Sequence, residues 1–487
     1  MRVPMQSWVA VVAAAMLQVA TGCAVPAGSG STPTPPQSTN AKEWTWVSGS
    51  NVAGQAGSYG TEGTASPENV PGGRAGAVGW TDAAGNLWLF GGMSPNVGAY
   101  CNPIAPACTS GTNSWYNDLW KFNSNGWTWV AGSNGTDQPG VYGTLGVAAA
   151  ENVPGARFDA VSWTDAAGNF WLFGGEGYDS AGNTGYLDDL WKYRDGLWTW
   201  MGGSTVINQP GVYGTQGTAA AGNTPGARYA AVSFTDAAGH LWLFGGQGCA
   251  DFCGAYLDDL WEYNGGQWTW VSGQNIYWPT QAGVYGTQGT PAAANHPGGR
   301  TNAAGWIDTS GDIWIFGGVG WGASLVNVSE LNDLWEFSKG QWAWVGGPNQ
   351  SYPTGIDLTG IYGTEGQAAA SNIPGSRDSA VSWMDAQGNL WMFGGEGYGS
   401  TNQGSELNDL WKYSTGEWTW VGGSNVANQL GSYGTLGTPA AGNIPGGRFG
   451  AVSWTDASGN MWLLGGVGAD SVNTGHGYLN DLWVYQP

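Results

Sequence analysis

The chain has 487 residues and a formal net charge of −22 with only 10% charged residues, yet it contains 33 tryptophans and 87 glycines. Such acidity excludes the basic footprint of a nucleic-acid binder and would repel an anionic membrane surface, so any membrane attachment must be covalent. Many aromatics with little charge exclude a disordered chain; aromatics spaced between glycines predict short strands joined by tight turns.

At the N-terminus, Arg2 precedes an apolar run from Trp8 to Ala20 that is too short to span a bilayer and ends in Ala-Thr-Gly-Cys. This order predicts a secretory signal over 1–22. The cysteine directly after the small residues resembles a bacterial lipobox, which implies lipidation of Cys23; Ala20 stands where leucine is usual, and plain secretion is the competing expectation. Residues 23–43 are rich in Pro, Ser, Thr and Gly and lack apolar periodicity, as a flexible tether does. The expected product is an exported protein anchored at the cell envelope, touching membrane only through that lipid.

The first strand-like segment, Trp44-Thr45-Trp46-Val47, stands alone. From Arg74 onward one unit recurs six times. An arginine leads into a short segment such as Ala160-Val161-Ser162-Trp163. A turn of the type Asp165-Ala166-Ala167-Gly168-Asn169 follows, then an apolar strand ending in Gly-Gly. The Gly-Gly pairs start at Gly91, Gly174, Gly245, Gly317, Gly394 and Gly465, roughly 70 to 80 residues apart. A variable loop leads to Asp189-Leu190-Trp191 and its equivalents, then a tight turn and a strand such as Trp268-Thr269-Trp270-Val271. Four short strands per unit, rich in aromatic and β-branched residues and bounded by Gly or Asp/Asn, predict antiparallel sheets repeated radially, which protects sheet edges.

The Gly-Gly ending the second strand, the aromatic after the third and the tryptophan of the fourth resemble the kelch repeat, over nearly everything from Glu43 to Tyr485. Galactose-oxidase-like propellers are similar more distantly. The resemblance implies an all-β fold: a six-bladed β-propeller of kelch type over 44–487, with four antiparallel strands per blade. These units exceed the usual kelch length, about 50 residues, by some twenty, mainly between the fourth strand of one blade and the first of the next. The chain opens on a fourth strand and its last strand, Asp481 to Tyr485, is a third. The two are expected to complete one blade, Trp44–Val47 beside Asp481–Tyr485.

Cys101 with Cys108 and Cys249 with Cys253 form two close pairs in separate loops. Local disulfides fit an oxidising compartment; zinc is the weaker alternative, because the spacings are irregular and no histidine accompanies them. Within each blade the hairpin turns are short and uniform, whereas the loops after Gly-Gly and the inter-blade segments are long, so function is expected on the long-loop face. The inter-blade segments repeat Tyr-Gly-Thr and end on Arg74, Arg157, Arg228, Arg300, Arg377 and Arg448. Each arginine is expected to pair with a repeated acid (Asp118, Asp189, Asp259, Asp333, Asp409, Asp481); an anion-binding mouth, with Arg157 and Arg377 as binding residues, is the alternative. The turn aspartates are read as turn formers before calcium ligands.

Residues that break the repeat are the sharper candidates. Glu176 and Glu396 share the phrase Gly-Gly-Glu-Gly-Tyr, with Tyr178 and Tyr398, in blades that face each other across a six-membered ring. They are the candidate catalytic carboxylates if the ring brings them close enough. Tyr277, Trp278, Trp321 and Tyr352 are candidates for stacking on a sugar or a protein side chain, against simple packing. Kelch resemblance also implies two activities. Copper oxidation needs histidine and tyrosine ligands, and this chain has only His240, His296 and His476, with His240 in a turn on the wrong face. Sugar mutarotation needs only a few polar groups in a pocket. No nucleophile elbow, phosphate loop or metal-binding run occurs. The reading is a monomeric, non-enzymatic module, without cofactor or metal, that binds a protein or glycan ligand through its long-loop face; a mutarotase-like enzyme is the alternative.

Overall fold

The computed structural model describes residues 42–95, 113–275, 282–324, 327–349, 358–474 and 477–487, and all regular structure among them is β-strand. Cys23, Cys101, Cys108, Tyr277, Trp278, Tyr352 and His476 lie outside the described residues.

The local chemistry of one blade explains the rest. Asp165 Oδ1 accepts the amides of Ala167 and Asn169, both at 2.9 Å, while Oδ2 takes Asn169 Nδ2 at 2.7 Å and Trp171 Nε1 at 2.8 Å. The side chain thus folds the turn and pins the tryptophan of the next strand, which is why aspartate recurs there. From the channel outward the blade comprises Val161–Thr164, Phe170–Phe173, Leu190–Arg194 and Leu197–Gly202, all antiparallel.

Six such blades form a ring. Their innermost strands are Val78–Thr81, Val161–Thr164, Val232–Thr235, Ala304–Ile307, Val381–Met384 and Val452–Thr455, each beside its two neighbours. Six hydrophobic clusters fill the six blade interfaces, around third-strand tryptophans such as Trp191 and Trp411 that expose no surface. The last blade is completed by Trp44–Ser48, which pairs antiparallel with Gly477–Tyr485: Trp44 faces Tyr485, Thr45 faces Val484 and Trp46 faces Trp483.

The extra length of the repeat departs from expectation. Instead of rising wholly above the long-loop face, each inter-blade segment runs down the outside of the blade that follows it. Ala149 bridges Trp198 and the Gly146 amide donates to Trp200 O at 2.8 Å, with equivalents at every blade. The reason is the fourth strand, whose outer row of N–H and C=O groups would otherwise be a bare edge. Asn152 Nδ2 fixes this strap by donating to Val147 O and Trp198 O.

Candidate functional site

The repeated arginines are structural. Arg157 donates from Nη1 and Nη2 to the two oxygens of Asp189, both at 2.7 Å, from Nη1 to Gly174 O and from Nε to Gly155 O. Asp189 Oδ2 also accepts Tyr142 OH and Trp191 Nε1, each at 2.7 Å. Arg377 and Asp409 repeat the arrangement with Tyr362 and Trp411. Arg157 and Arg377 are each 1% exposed, so these two candidate binding residues are instead buried locks between first strand, third strand and strap. The same acid partners hold the other four arginines, and no guanidinium of the six is left for an anion.

The Gly-Gly pair redirects the second strand. Gly174 and Gly175 have φ of 64° and 96°. A Cβ at Gly174 would lie 2.7 Å from the Arg228 carbonyl of the next blade, and one at Gly175 would lie 2.8 Å from Phe158 O. Only glycine fits both the torsion and the space. Past this kink the strand pairs again, Glu176–Tyr178 with Arg157–Phe158 on one side and with Thr184–Tyr186 on the other. Every described blade carries such an upper ladder at the mouth of the channel.

Below the ladders the channel is drawn in by a closed ring of six backbone hydrogen bonds. The amides of Gly76, Asp159, Ala230, Asn302, Ser379 and Gly450 donate to the carbonyls of Gly450, Gly76, Asp159, Ala230, Asn302 and Ser379, at 2.7 to 3.1 Å. All six residues have φ between 48° and 62°, and four of them are not glycine. Such torsions are strained in L-residues and collect at functional sites.

Side chains on and just above this ring break the sixfold symmetry. Phe158, Glu176 and Tyr186 stand in one register, as do Tyr229, Gln247 and Tyr256, and Asp378, Glu396 and Glu406. One side of the mouth is aromatic: Trp115 packs on Phe158 with centroids 5.5 Å apart, Phe158 meets Tyr229 at 6.0 Å, and Tyr186 stacks on Tyr229 at 5.3 Å. Tyr229 OH donates to Gln247 Oε1 at 2.7 Å. The other component is acidic. Burial, with the Glu176 carboxylate beside it, pushes Asp159 up to about 7. Burial likewise pushes Asp378 up to about 7; Glu396, Glu330 and Asp159 add to this, against a 2.6 Å hydrogen bond from Ser379 Oγ. Glu176 is raised by burial as well.

Glu176 and Glu396 each lie beside an aspartate that the sequence reading passed over, Asp159 and Asp378 respectively. Tyr178 sits further out, against Trp115 at 5.3 Å, and Tyr398 holds the matching place, paired in register with Gly404. Trp321 is partly buried just past the strand Ile313–Gly320, its amide donating to Gly299 O at the end of the inter-blade segment. Cys249 and Cys253 are joined by a disulfide in the loop beside Tyr256. His240 is held in its turn by Asp236 and Glu262, and His296 in a strap by Asp258. The turn half of the channel holds a well of about 560 Å³ lined by neutral groups, among them Ser162, Ser233, Thr164 and Thr235. Among the described residues no three His, Cys, Asp or Glu side chains are grouped to hold a metal ion.

Asp159, Asp378, Tyr186, Tyr229 and Tyr256 were missed by sequence reasoning, although a signal exists. The first and second positions after each repeat arginine read Ala-Gly, Phe-Asp, Tyr-Ala, Thr-Asn, Asp-Ser and Phe-Gly, a variable pair between invariant neighbours.

No protein-family model matches this chain, nor does any curated protein sequence. Solved structures similar to it include the following two. One is the structure of a protein called YjhT, with a TM-score of 0.47 and 14% identity over 85% of this chain and 95% of that one. Another is described as a novel fungal alcohol oxidase of the AA5 family in complex with copper, with a TM-score of 0.41 and 14% identity over 88% of this chain and 76% of that one. Likenesses this distant are silent on activity, and the assignment of this chain as a six-bladed β-propeller rests on its own strand pairing and closure.

Proposed function

We propose that the channel mouth on the long-loop face binds a glycan and holds it without transforming it. One observation carries this reading: the mouth combines an aromatic arc, Trp115, Phe158, Tyr186 and Tyr229, with the carboxyl groups of Asp159, Glu176, Asp378 and Glu396. Sugar rings offer apolar C–H faces to aromatic planes and hydroxyls to carboxylates, so a mixed concave lining suits them. A protein ligand would more naturally use a flat surface than a constricted mouth. The test is a glycan-array screen of the mature protein alongside Tyr186→Ala and Tyr229→Ala. Saturable binding that the variants lose is expected; an array without binding would end this reading.

A second reading is favoured by Asp159 and Asp378, both near 7. A carboxyl half-protonated at neutral pH can donate and accept protons, as anomer interconversion requires when the anomeric hydroxyl loses a proton and the ring oxygen gains one. Exchange between anomers of a bound sugar, followed by NMR and slowed in Asp159→Asn, would establish it. The expected setting is the cell envelope, through lipidated Cys23; a mature N-terminus without lipid by mass spectrometry would remove the anchor from the proposal.

A further inference from the structure

We propose that the ligand of the channel mouth is cationic: a glycan bearing protonated amines, such as an oligomer of glucosamine. This rests on the glycan reading and adds its charge. Three independent observations lead there.

The first is a missing partner. Two aspartates show what saturation with donors looks like in this chain: Asp189 takes both guanidinium nitrogens of Arg157, a phenol and an indole, and Asp165 takes four N–H groups. Asp159 is the contrast. Its carboxylate lies against the Gly76 corner, with Oδ1 2.4 Å from where a Cβ at 76 would stand, and among the described residues no donor reaches it. It faces Glu176, Tyr229 and Tyr478. Asp378 faces Glu330, Glu396 and Tyr256 and has one hydroxyl donor, Ser379. A half-buried carboxylate without N–H partners, as at Asp159, is the arrangement a cationic donor relieves.

The second is where the cations are. Six arginines are spent on aspartates inside the blades. Lys121, Lys192 and Lys412 lie over Trp88, Trp171 and Trp391 near the hairpin turns, and Arg194 pairs with Asp195 in such a turn. Lys339 occupies another turn, and Lys42 precedes the closing strand at the same end. Among the described residues no basic side chain remains for the mouth.

The third is the shape of the cation. The acids do not converge as metal ligands do, whereas Tyr186 and Tyr229 offer stacked ring faces beside them. Separated carboxylates with aromatic planes suit a polyatomic ammonium, which gains both charge-assisted hydrogen bonds and attraction to ring faces.

The experiment is calorimetry near neutral pH with two probes, the glucosamine tetramer and its fully N-acetylated counterpart, on the mature protein. The free amine form is expected to bind at least about tenfold more tightly. Asp159→Asn with Asp378→Asn should remove that advantage, lowering the affinity for the free amine form at least about fivefold more than that for the acetylated form. Asp195→Asn makes a charge change of the same sign on the opposite face and should leave the advantage intact. Glu396→Gln serves in place of the double variant if that fails to fold. Equal binding of both probes overturns the charge while leaving the glycan reading standing. Binding of neither, after an empty array, removes both. Equal sensitivity to Asp195→Asn would reduce the effect to the net charge of the whole chain and sink the site.

Discussion

Replacing Asp189 with alanine tests whether the arginine ring belongs to the fold. The substitution removes an acceptor that is 0% exposed and takes donors from Arg157, Tyr142 and Trp191. Arg157, 1% exposed, is then a buried charge whose neutralising partner is gone, although Gly155 O and Gly174 O still accept from it. Breaking a buried pair on one side costs about 3–5 kcal/mol, more than the pair itself contributes, because the remaining charge keeps its desolvation penalty. The double variant Arg157→Met with Asp189→Leu removes both charges and should recover roughly half of that cost. Urea denaturation followed by tryptophan fluorescence and far-UV circular dichroism, with coincident transitions required, gives the free energies. A single-variant loss below about 1 kcal/mol, or a double variant equal to the sum of the singles, would refute the lock. The ring would then have to be reconsidered as a ligand site.

Three further outcomes follow from the same geometry. Asp159 and Asp378 are raised in the folded state, so their contribution to stability is full below the ordinary carboxylate range and is lost as pH rises through about 7. A rise from 3.8 to about 7 bounds each at about 4 kcal/mol, and solvent at the open mouth brings this to roughly 2. The thermal midpoint should fall between mildly acidic and mildly alkaline pH, and less so in the Asp159→Asn, Asp378→Asn variant; Asp188, also about 7 and buried, preserves part of the slope. An identical slope in variant and wild type would contradict this. Gly76→Ala puts a Cβ at φ 62° into the space of Asp159 Oδ1; it should cost about 1–3 kcal/mol in denaturation and weaken ligand binding, and an unchanged affinity would dissociate Asp159 from the site. Deleting 42–48 bares the outer edge of Gly477–Tyr485 and removes Trp44 and Val47 from two blade interfaces; limited proteolysis should then cut throughout the ring, and a protease-resistant product would argue against closure by that strand.

Blade number, strand order and closure were legible because each rests on local, repeated chemistry. The Asp165 turn and the Arg157–Asp189 pairing recur in every copy, and repetition turns a weak local signal into a strong one. The chain phase placed Trp44 beside Tyr485 without any tertiary information. What stayed hidden was non-local. The strap from Gly146 to Ala149 reads as loop because its partners, Trp198 and Trp200, belong to a strand about fifty residues later. The mouth was half legible: Glu176 and Glu396 stood out by breaking a column, while Asp159 and Asp378 did not. Their character arises from burial and from the glutamates beside them, Glu176 and Glu396, a relation that no spacing along the chain encodes.

The hydrogen-bonded ring explains why the side chains that break the repeat gather at its rim. Its six amides and carbonyls close only if every blade turns the same corner, so all six residues must hold φ near 55°, and the values span 48° to 62°. Glycine does this without strain, and Gly76 and Gly450 do so here. Asp159, Ala230, Asn302 and Ser379 hold the same torsion at about 1 kcal/mol each relative to glycine. Aspartate and asparagine tolerate it best among side-chain-bearing residues; alanine and serine have no such excuse. Ala230 is 5% exposed and follows Tyr229 in the chain, and Ser379 supplies a hydroxyl donor to Asp378. Asp159 and Ser379 thus belong to the acidic group, while the contacts give Ala230 and Asn302 no comparable role. The backbone fixes an identical corner six times, and the side chains that depart from glycine there make one rim of the channel unlike the rest of a repetitive molecule.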